Sequence, residues 1–210
     1  MSVLNQIKDA TIIGNQKGVA EFTNQALAEG VRPATIIQEG LIPAMATVGL
    51  KFKNGDIFVP EMLVAARAMK AGLEIIKPLM VETDMKNVAK VVLGTVKGDL
   101  HDIGKNLVGI MLEGAGMEVI DLGVDISPEK FVAAVKTHKP GFVAMSALLT
   151  TTMPNMQAII EAFEAEGLRD SVKVLIGGAP VSEEFADKIG ADGYADNAAS
   201  AVDKIKEFLD

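Results

Sequence analysis

His101 stands between two carboxylates in the run Gly98-Asp99-Leu100-His101-Asp102-Ile103-Gly104-Lys105-Asn106. Imidazole is a common ligand for borderline metals when an acceptor holds its other nitrogen, and Asp99 is spaced to be that acceptor. Read alone, the same residues better suit a polar loop whose carboxylates cap the helix that follows, so context has to decide. The glycines and Lys105 give a superficial likeness to a phosphate loop, but the match fails. One residue too many separates Gly98 from Gly104, Asn106 replaces the hydroxyl residue, and Asp99 and Asp102 would repel phosphate. A stand-alone zinc or iron site takes roughly three or four protein ligands, whereas the chain has 2 His and 0 Cys. The other His, His138, falls at a predicted helix end away from the loops. A metal on His101 would therefore have to bring its remaining ligands with it, as a tetrapyrrole-like cofactor does.

Such a loop needs a scaffold. From Val88 onward, short Val- and Ile-rich runs alternate with helical stretches, the pattern of a parallel sheet with crossover helices. The runs predict strands over residues 90–94, 118–122, 141–145, 173–176 and 192–194, and helices near 103–114, 128–138, 154–166, 182–189 and 198–209. Ligands of an open parallel sheet bind beyond the carboxyl ends of its strands. The loops that matter are then 95–102, 123–127, 146–153, 177–181 and 195–197. Residues 1 to about 80 instead repeat apolar positions at helical intervals. Leu4, Ile7 and Ile12 mark a first helix, and Val19, Phe22 and Leu27 a second. A third carries Ile36, Ile37, Leu41, Met45, Val48 and Phe52, with Pro43 set to kink or interrupt it. A fourth covers 60–79, so a small antiparallel bundle is predicted, and the polar stretch 82–87 reads as a linker.

Composition narrows the function. Lys and Arg total 20 against 28 Asp and Glu, a formal charge of −8, with no basic run; nucleic acid is excluded as a partner because its phosphates must be met by clustered cations. With 49% hydrophobic and 23% charged residues the chain is globular. The lack of Cys removes disulfides, thiolate metal sites, iron–sulfur clusters and cysteine nucleophiles together. No apolar stretch approaches the ~18 residues of a spanning helix, and MSVLNQIKDA lacks the features of a signal peptide. The expectation is a cytoplasmic protein with no membrane partner. One Tyr, no Trp and 8 Phe leave little to stack on a flavin.

Asp99, His101 and Gly104 as D-x-H-x-x-G, Ser146 and Leu148 as S-x-L, and then Gly177-Gly178 follow the first, third and fourth predicted strands in that order. Together they resemble the cobalamin-binding signature. Residues 40–49, GLIPAMATVG, and 55–61, GDIFVPE, resemble the helical cap of methyl-transferring corrinoid proteins. The likeness spans the chain. It is to the free-standing corrinoid proteins of methanol, methylamine, betaine and aryl-ether methyltransferase systems, and is similar to the cap and cobalamin modules of methionine synthase. It implies an α/β protein, with a four-helix cap bundle at 1–84 and a five-stranded parallel, doubly wound, flavodoxin-like cobalamin-binding domain at 88–210.

The resemblance also implies cobalamin or a related corrinoid, carried as methylcobalamin, with cobalt as the metal. It makes His101 the lower axial ligand and Asp99 and Ser146 its relay. Gly98, Leu100, Asp102, Gly104, Leu148 and Thr150 would lie against the cofactor. Gly177 and Gly178 would admit its displaced nucleotide tail, although a tight turn after the fourth strand asks for the same glycines. Phe58, Met62 and Leu63 would cover the upper cobalt face, while apolar residues at helical spacing equally build bundle core. The implied activity is a methyl carrier that serves a donor-specific methyltransferase, an acceptor methyltransferase and a reductive activation protein, and is not a catalyst by itself. The alternative is a cobalamin-dependent sensor or regulatory module, which would add a DNA-binding domain. A phospho-acceptor receiver shares the strand pattern but needs an Asp where Ser146 stands.

Overall fold

In the computed structural model, which describes residues 2–79 and 88–209, the N-terminal apolar-periodic stretches are helices. They are α1 (Val3–Ile12), α2 (Gln16–Ala28), the short α3 (Pro33–Thr35), α4 (Ile42–Lys53) and α5 (Val59–Ile76). Side-chain oxygens start the first two: Ser2 accepts from the N–H of Asn5, and Asn15 from that of Gly18, each satisfying an N–H that the helix leaves unpaired. Helix α5 begins with Pro60 in its first turn, and Glu61 reaches back to the N–H of Phe58 at 3.1 Å. Its α-helical part stops at Ile76, and a 3₁₀ turn, Lys77–Leu79, completes the expected span. Helix α1 packs on α2 and α4, and α5 packs on the same two, which closes a four-helix bundle. Ile7, Val19, Ile36, Leu41, Met45, Val48 and Met62 are buried.

Pro43 interrupts its helix one turn earlier than a simple kink would. Residues Ile36–Leu41 form a π-helical segment in which the N–H of Ile42 reaches the carbonyl of Ile37, and α4 restarts with Pro43 in its first turn. Proline has no N–H for the carbonyl of Glu39 and its ring crowds that group. Widening the preceding turn removes the conflict, and the first turn of a helix tolerates proline. The linker expected at 82–87 lies outside the described residues.

The second unit holds β1 (Lys90–Thr95), α6 (Ile103–Gly114), β2 (Glu118–Asp121), α7 (Pro128–His138), β3 (Phe142–Ser146), α8 (Pro154–Ala165), β4 (Lys173–Gly177), α9 (Glu183–Ile189), β5 (Gly193–Ala195) and α10 (Ala198–Glu207). The five strands pair in parallel in the order β2-β1-β3-β4-β5. This is the flavodoxin-like order, whose switch point lies between β1 and β3. Helices cover both faces, so the central strands read as continuous apolar runs instead of alternating. Val92, Val143, Val174 and Ile176 pack with Phe131, Met156, Ile159 and Phe163 in one buried cluster, each contributing about 1.5–3 kcal/mol through burial. Asp192, just before β5, ties the sheet edge together. It accepts from the N–H of Val174 at 2.8 Å and pairs with Arg169 and Lys173.

Four strands, β1, β3, β4 and β5, end one residue later than their composition suggests. Thr95, Ser146 and Gly177 are neighbours in the ladder, the last paired residues of β1, β3 and β4. Ser146 and Gly177 are therefore strand ends and not loop residues. Continued parallel pairing explains it: the N–H of Val96 donates to the carbonyl of Ser146 at 3.0 Å, and that of Ala147 to Gly177 at 3.2 Å. No helix of the described residues is long and apolar enough to cross a membrane.

Candidate functional site

The loop between β1 and α6 lies beside the switch point and is held from several directions. Thr95, fully buried at the end of β1, donates its hydroxyl to the carbonyl of His101 at 2.9 Å. Gly98 has φ +79°, a conformation a side chain would strain. Asn155 donates to the carbonyl of Lys97 at 2.9 Å. Backbone N–H groups that might have cradled a phosphate are already used: Gly98 donates to Asp125 at 2.7 Å, and His101 and Leu148 both donate to Asp99. Lys105 is turned inward and buried, its ammonium on Asp121 and on Asn106, whose amide donates to Asp102 at 3.1 Å. The backbone carbonyl of Asp102 accepts from the N–H of Asn106 at 2.7 Å as α6 begins, and the loop's amides and Lys105 are engaged within the protein instead of on a phosphate.

At its centre, Asp99 is 0% exposed and carries the polar chemistry. Its Oδ1 accepts from the backbone N–H of His101 at 3.0 Å and faces His101 Nδ1 at 2.7 Å. Its Oδ2 accepts from the N–H of Leu148 at 2.7 Å and from the Thr152 hydroxyl at 2.8 Å. Burial by itself raises a carboxyl pKa. Here the Leu148 and His101 N–H groups, the His101 ring and the Thr152 hydroxyl outweigh it and hold Asp99 well below the usual carboxylate range. An ionised Asp99 fixes the proton of a neutral imidazole on Nδ1 and leaves Nε2 as the lone-pair nitrogen. The His101 side chain is 52% exposed, and among the described residues no hydrogen bond reaches Nε2. Such an arrangement leaves Nε2 able to ligate a metal while the carboxylate holds the other ring nitrogen.

The hydroxyl on Asp99 is that of Thr152, not Ser146. Among the described residues no hydrogen bond links Ser146 to Asp99. The turn at 150–153 brings the Thr152 hydroxyl onto Asp99 Oδ2, the place the resemblance gives to Ser146. The signal for Thr152 was the run of hydroxyls at 150–152, three adjacent candidates that spacing does not separate. Thr150 is exposed. Asp125, which holds Gly98, had no sequence signal beyond its place in the loop after the second strand.

The surroundings of His101 fit a large, largely apolar group. Leu100 and Ile103 are 72% and 76% exposed, and Leu148 and Leu149 are also exposed. Clustered exposed apolar side chains of this kind mark a binding surface. Gly104, in the first turn of α6, has nothing within 4 Å of where a Cβ would sit. No neighbour within the described residues requires that glycine, and the space at its Cβ position is open. The other pair differs. A Cβ on Gly178, at φ +129°, would lie 1.9 Å from the carbonyl oxygen of Ala147, and one on Gly177 would lie 2.8 Å from that of Ala195. Both glycines are demanded by neighbouring backbone.

The cap residues separate in the same way. Phe58 is exposed, Leu63 half-buried, and Met62 fully buried. Met62 is a buried residue of α5, whereas Phe58 stands just before that helix.

A doubly wound parallel sheet with a carboxylate-held imidazole beside its switch point can present one histidine nitrogen to a metal-bearing cofactor. Residues 89–203 match the family model of the B12 binding domain, and residues 3–77 match a second B12 binding domain model. The chain is 43% identical over 212 residues to a corrinoid protein of Desulfitobacterium hafniense (strain Y51), covering 100% of this chain and 98% of that one. It is 43% identical to trimethylamine corrinoid protein 1 of Methanosarcina acetivorans, covering 99% and 97%. A chain in the methanol:cobalamin methyltransferase complex MtaBC from Methanosarcina barkeri aligns with a TM-score of 0.90 at 31% identity, covering 99% of this chain and 79% of that one. A cobalamin-binding protein from Desulfitobacterium hafniense DCB-2 aligns at 0.80 and 34%, covering 99% and 98%. The chain belongs to the B12-binding corrinoid proteins.

Proposed function

We propose that this protein is a cytoplasmic methyl carrier, and that His101 Nε2 would hold the cobalt of its corrinoid. The observation that carries the reading is the buried, ionised Asp99 on His101 Nδ1, with Nε2 left open inside an apolar rim. When bound there, the corrinoid supplies a cobalt centre able to accept a methyl group and to give it up again. The chain's own residues bind and orient. Leu100, Ile103, Leu148 and Leu149 shed water from the rim, Gly98 and Asp102 shape the loop beneath it, and Gly104 leaves space. Asp99 holds the imidazole in one tautomer and one orientation and raises its basicity, and Thr152 steadies the second carboxylate oxygen. Gly177 and Gly178 would border the path for the nucleotide tail, and Thr150 would offer it a hydroxyl. Phe58 and Leu63 offer the cap's apolar contact.

Relatives named for trimethylamine and dimethylamine, and the likeness to a chain of a methyltransferase complex, support donor and acceptor methyltransferases as partners. A reductive activation protein completes the set in this reading. The test is to load the protein with cobalamin and record its visible spectrum. His101→Ala shifts the cobalt bands and loses cofactor on gel filtration, whereas His138→Ala, at the exposed end of α7, does neither. Equal spectra for the two variants would remove His101 from cobalt.

A further inference from the structure

Asp125 adopts φ +55°, and Lys139 adopts φ +46°. Lys139 is accounted for, because it ends α7 in the left-handed conformation common at helix C-termini. Asp125 ends no helix. Its side chain is exposed, so burial does not compensate a conformation that costs an L-residue about 1–2 kcal/mol. What the conformation achieves is a double contact. The Asp125 N–H donates to the carbonyl of Asp99 at 3.1 Å, and its Oδ1 accepts from the N–H of Gly98 at 2.7 Å.

The path of the loop shows why a left-handed residue is required. Beyond the β1–β2 ladder, the N–H of Thr95 donates to Gly123 and the N–H of Ile126 donates back to Thr95, both at 3.0 Å. Val96 and Ile126 then form an isolated parallel bridge. Between these anchors stands Asp125, whose amide and carboxylate both reach Gly98-Asp99. Glycine could adopt the turn but would lack the acceptor. Asp and Asn are the side-chain-bearing residues that best tolerate this region.

The geometry points to Asp125 as a positioning residue for the His101 site: its strained backbone clasps the Gly98-Asp99 dipeptide and so sets the carboxylate that orients the imidazole. This rests on the reading of His101 as the ligand. Strain held by surrounding structure is characteristic of functional loops, and here the strained residue reaches the ligand through Asp99.

The test compares full-length wild type with Asp125→Asn, Asp125→Gly and Asp125→Ala. In the cofactor-free protein, proton–nitrogen spectra read the His101 ring tautomer, and hydrogen exchange reads the Gly98 amide. Retention of added hydroxocobalamin is measured separately. Asp125→Asn keeps both the turn and the acceptor and behaves as wild type. Asp125→Gly and Asp125→Ala lose the acceptor: the Gly98 amide exchanges about tenfold faster, the Nδ1–H tautomer is no longer the sole form, and retention falls about tenfold. A lowered melting temperature with unchanged tautomer and retention would reduce Asp125 to a structural turn and overturn the proposal. So would an Asp125→Asn variant as defective as Asp125→Ala. Should Asp125→Ala fail to fold, Asp125→Gly decides, since it carries no backbone strain. If wild type itself retains no corrinoid, the methyl-carrier reading fails while the tautomer and exchange results still judge the clasp.

Discussion

Every group that meets the Asp99 carboxylate is a donor: the N–H and ring of His101 on one oxygen, the Leu148 N–H and Thr152 hydroxyl on the other. Asp99→Asn turns an NH2 toward donors whichever way the amide lies, and leaving such groups unsatisfied costs about 1–3 kcal/mol. The loss depends on pH in a definite direction. Asp99 is held below its ordinary value, so its contribution is fully present above about pH 4 and declines as acid carries the pH lower. Urea unfolding as a function of pH checks this: the gap between wild type and Asp99→Asn is constant near neutrality and closes in acid. A gap that widens in acid would mean Asp99 is neutral in the folded protein. The neighbouring hydroxyls give a second prediction. Thr152→Val lowers stability by about 1 kcal/mol and disturbs the His101 ring signals, Thr152→Ser restores both, and Ser146→Ala leaves the ring signals unchanged. A Ser146→Ala effect equal to that of Thr152→Val would return Ser146 to the relay.

At the scale of elements, the motif glycines part company. Gly104 lies in a helix with open space beside it, so Gly104→Ala stabilises α6 in the cofactor-free protein by about 0.5–1 kcal/mol. The same methyl occupies room that the corrinoid needs, so retention falls as melting temperature rises. Gly178→Ala does the opposite to stability. Its Cβ would press on the Ala147 carbonyl at the joint of β3 and β4, at a cost of roughly 1–3 kcal/mol or more. Paired thermal melts and cofactor titrations separate the two, and a Gly104→Ala protein that melts lower and binds as wild type would contradict the assignment of open space. The break before Pro43 belongs to this scale too. Sequence located the fault, since proline cannot continue the ladder. The π segment Ile36–Leu41 shows that the chain absorbed it by widening one turn.

For the whole molecule, a ligand that binds only the folded protein stabilises it by about 2.7 kcal/mol at a hundredfold excess over Kd. Added cobalamin therefore raises the melting temperature of wild type, and raises that of His101→Ala less; equal rises would place binding away from the switch point. The doubly wound class and the location of the site were readable in advance. Short continuous apolar runs, and apolar positions with a period near 3.6, report local backbone geometry, and a parallel sheet leaves ligands little choice but the carboxyl ends of its strands. The Asp99–His101 pair was readable for the same reason, its partners being two residues apart. Tertiary structure alone decided which hydroxyl meets Asp99, which glycines the backbone itself requires, that Met62 is core while Phe58 is exposed, and that Asp125 reaches across to Gly98. Those contacts join segments distant in the chain, and the packing of loops on one another, not local periodicity, determines which side chains meet.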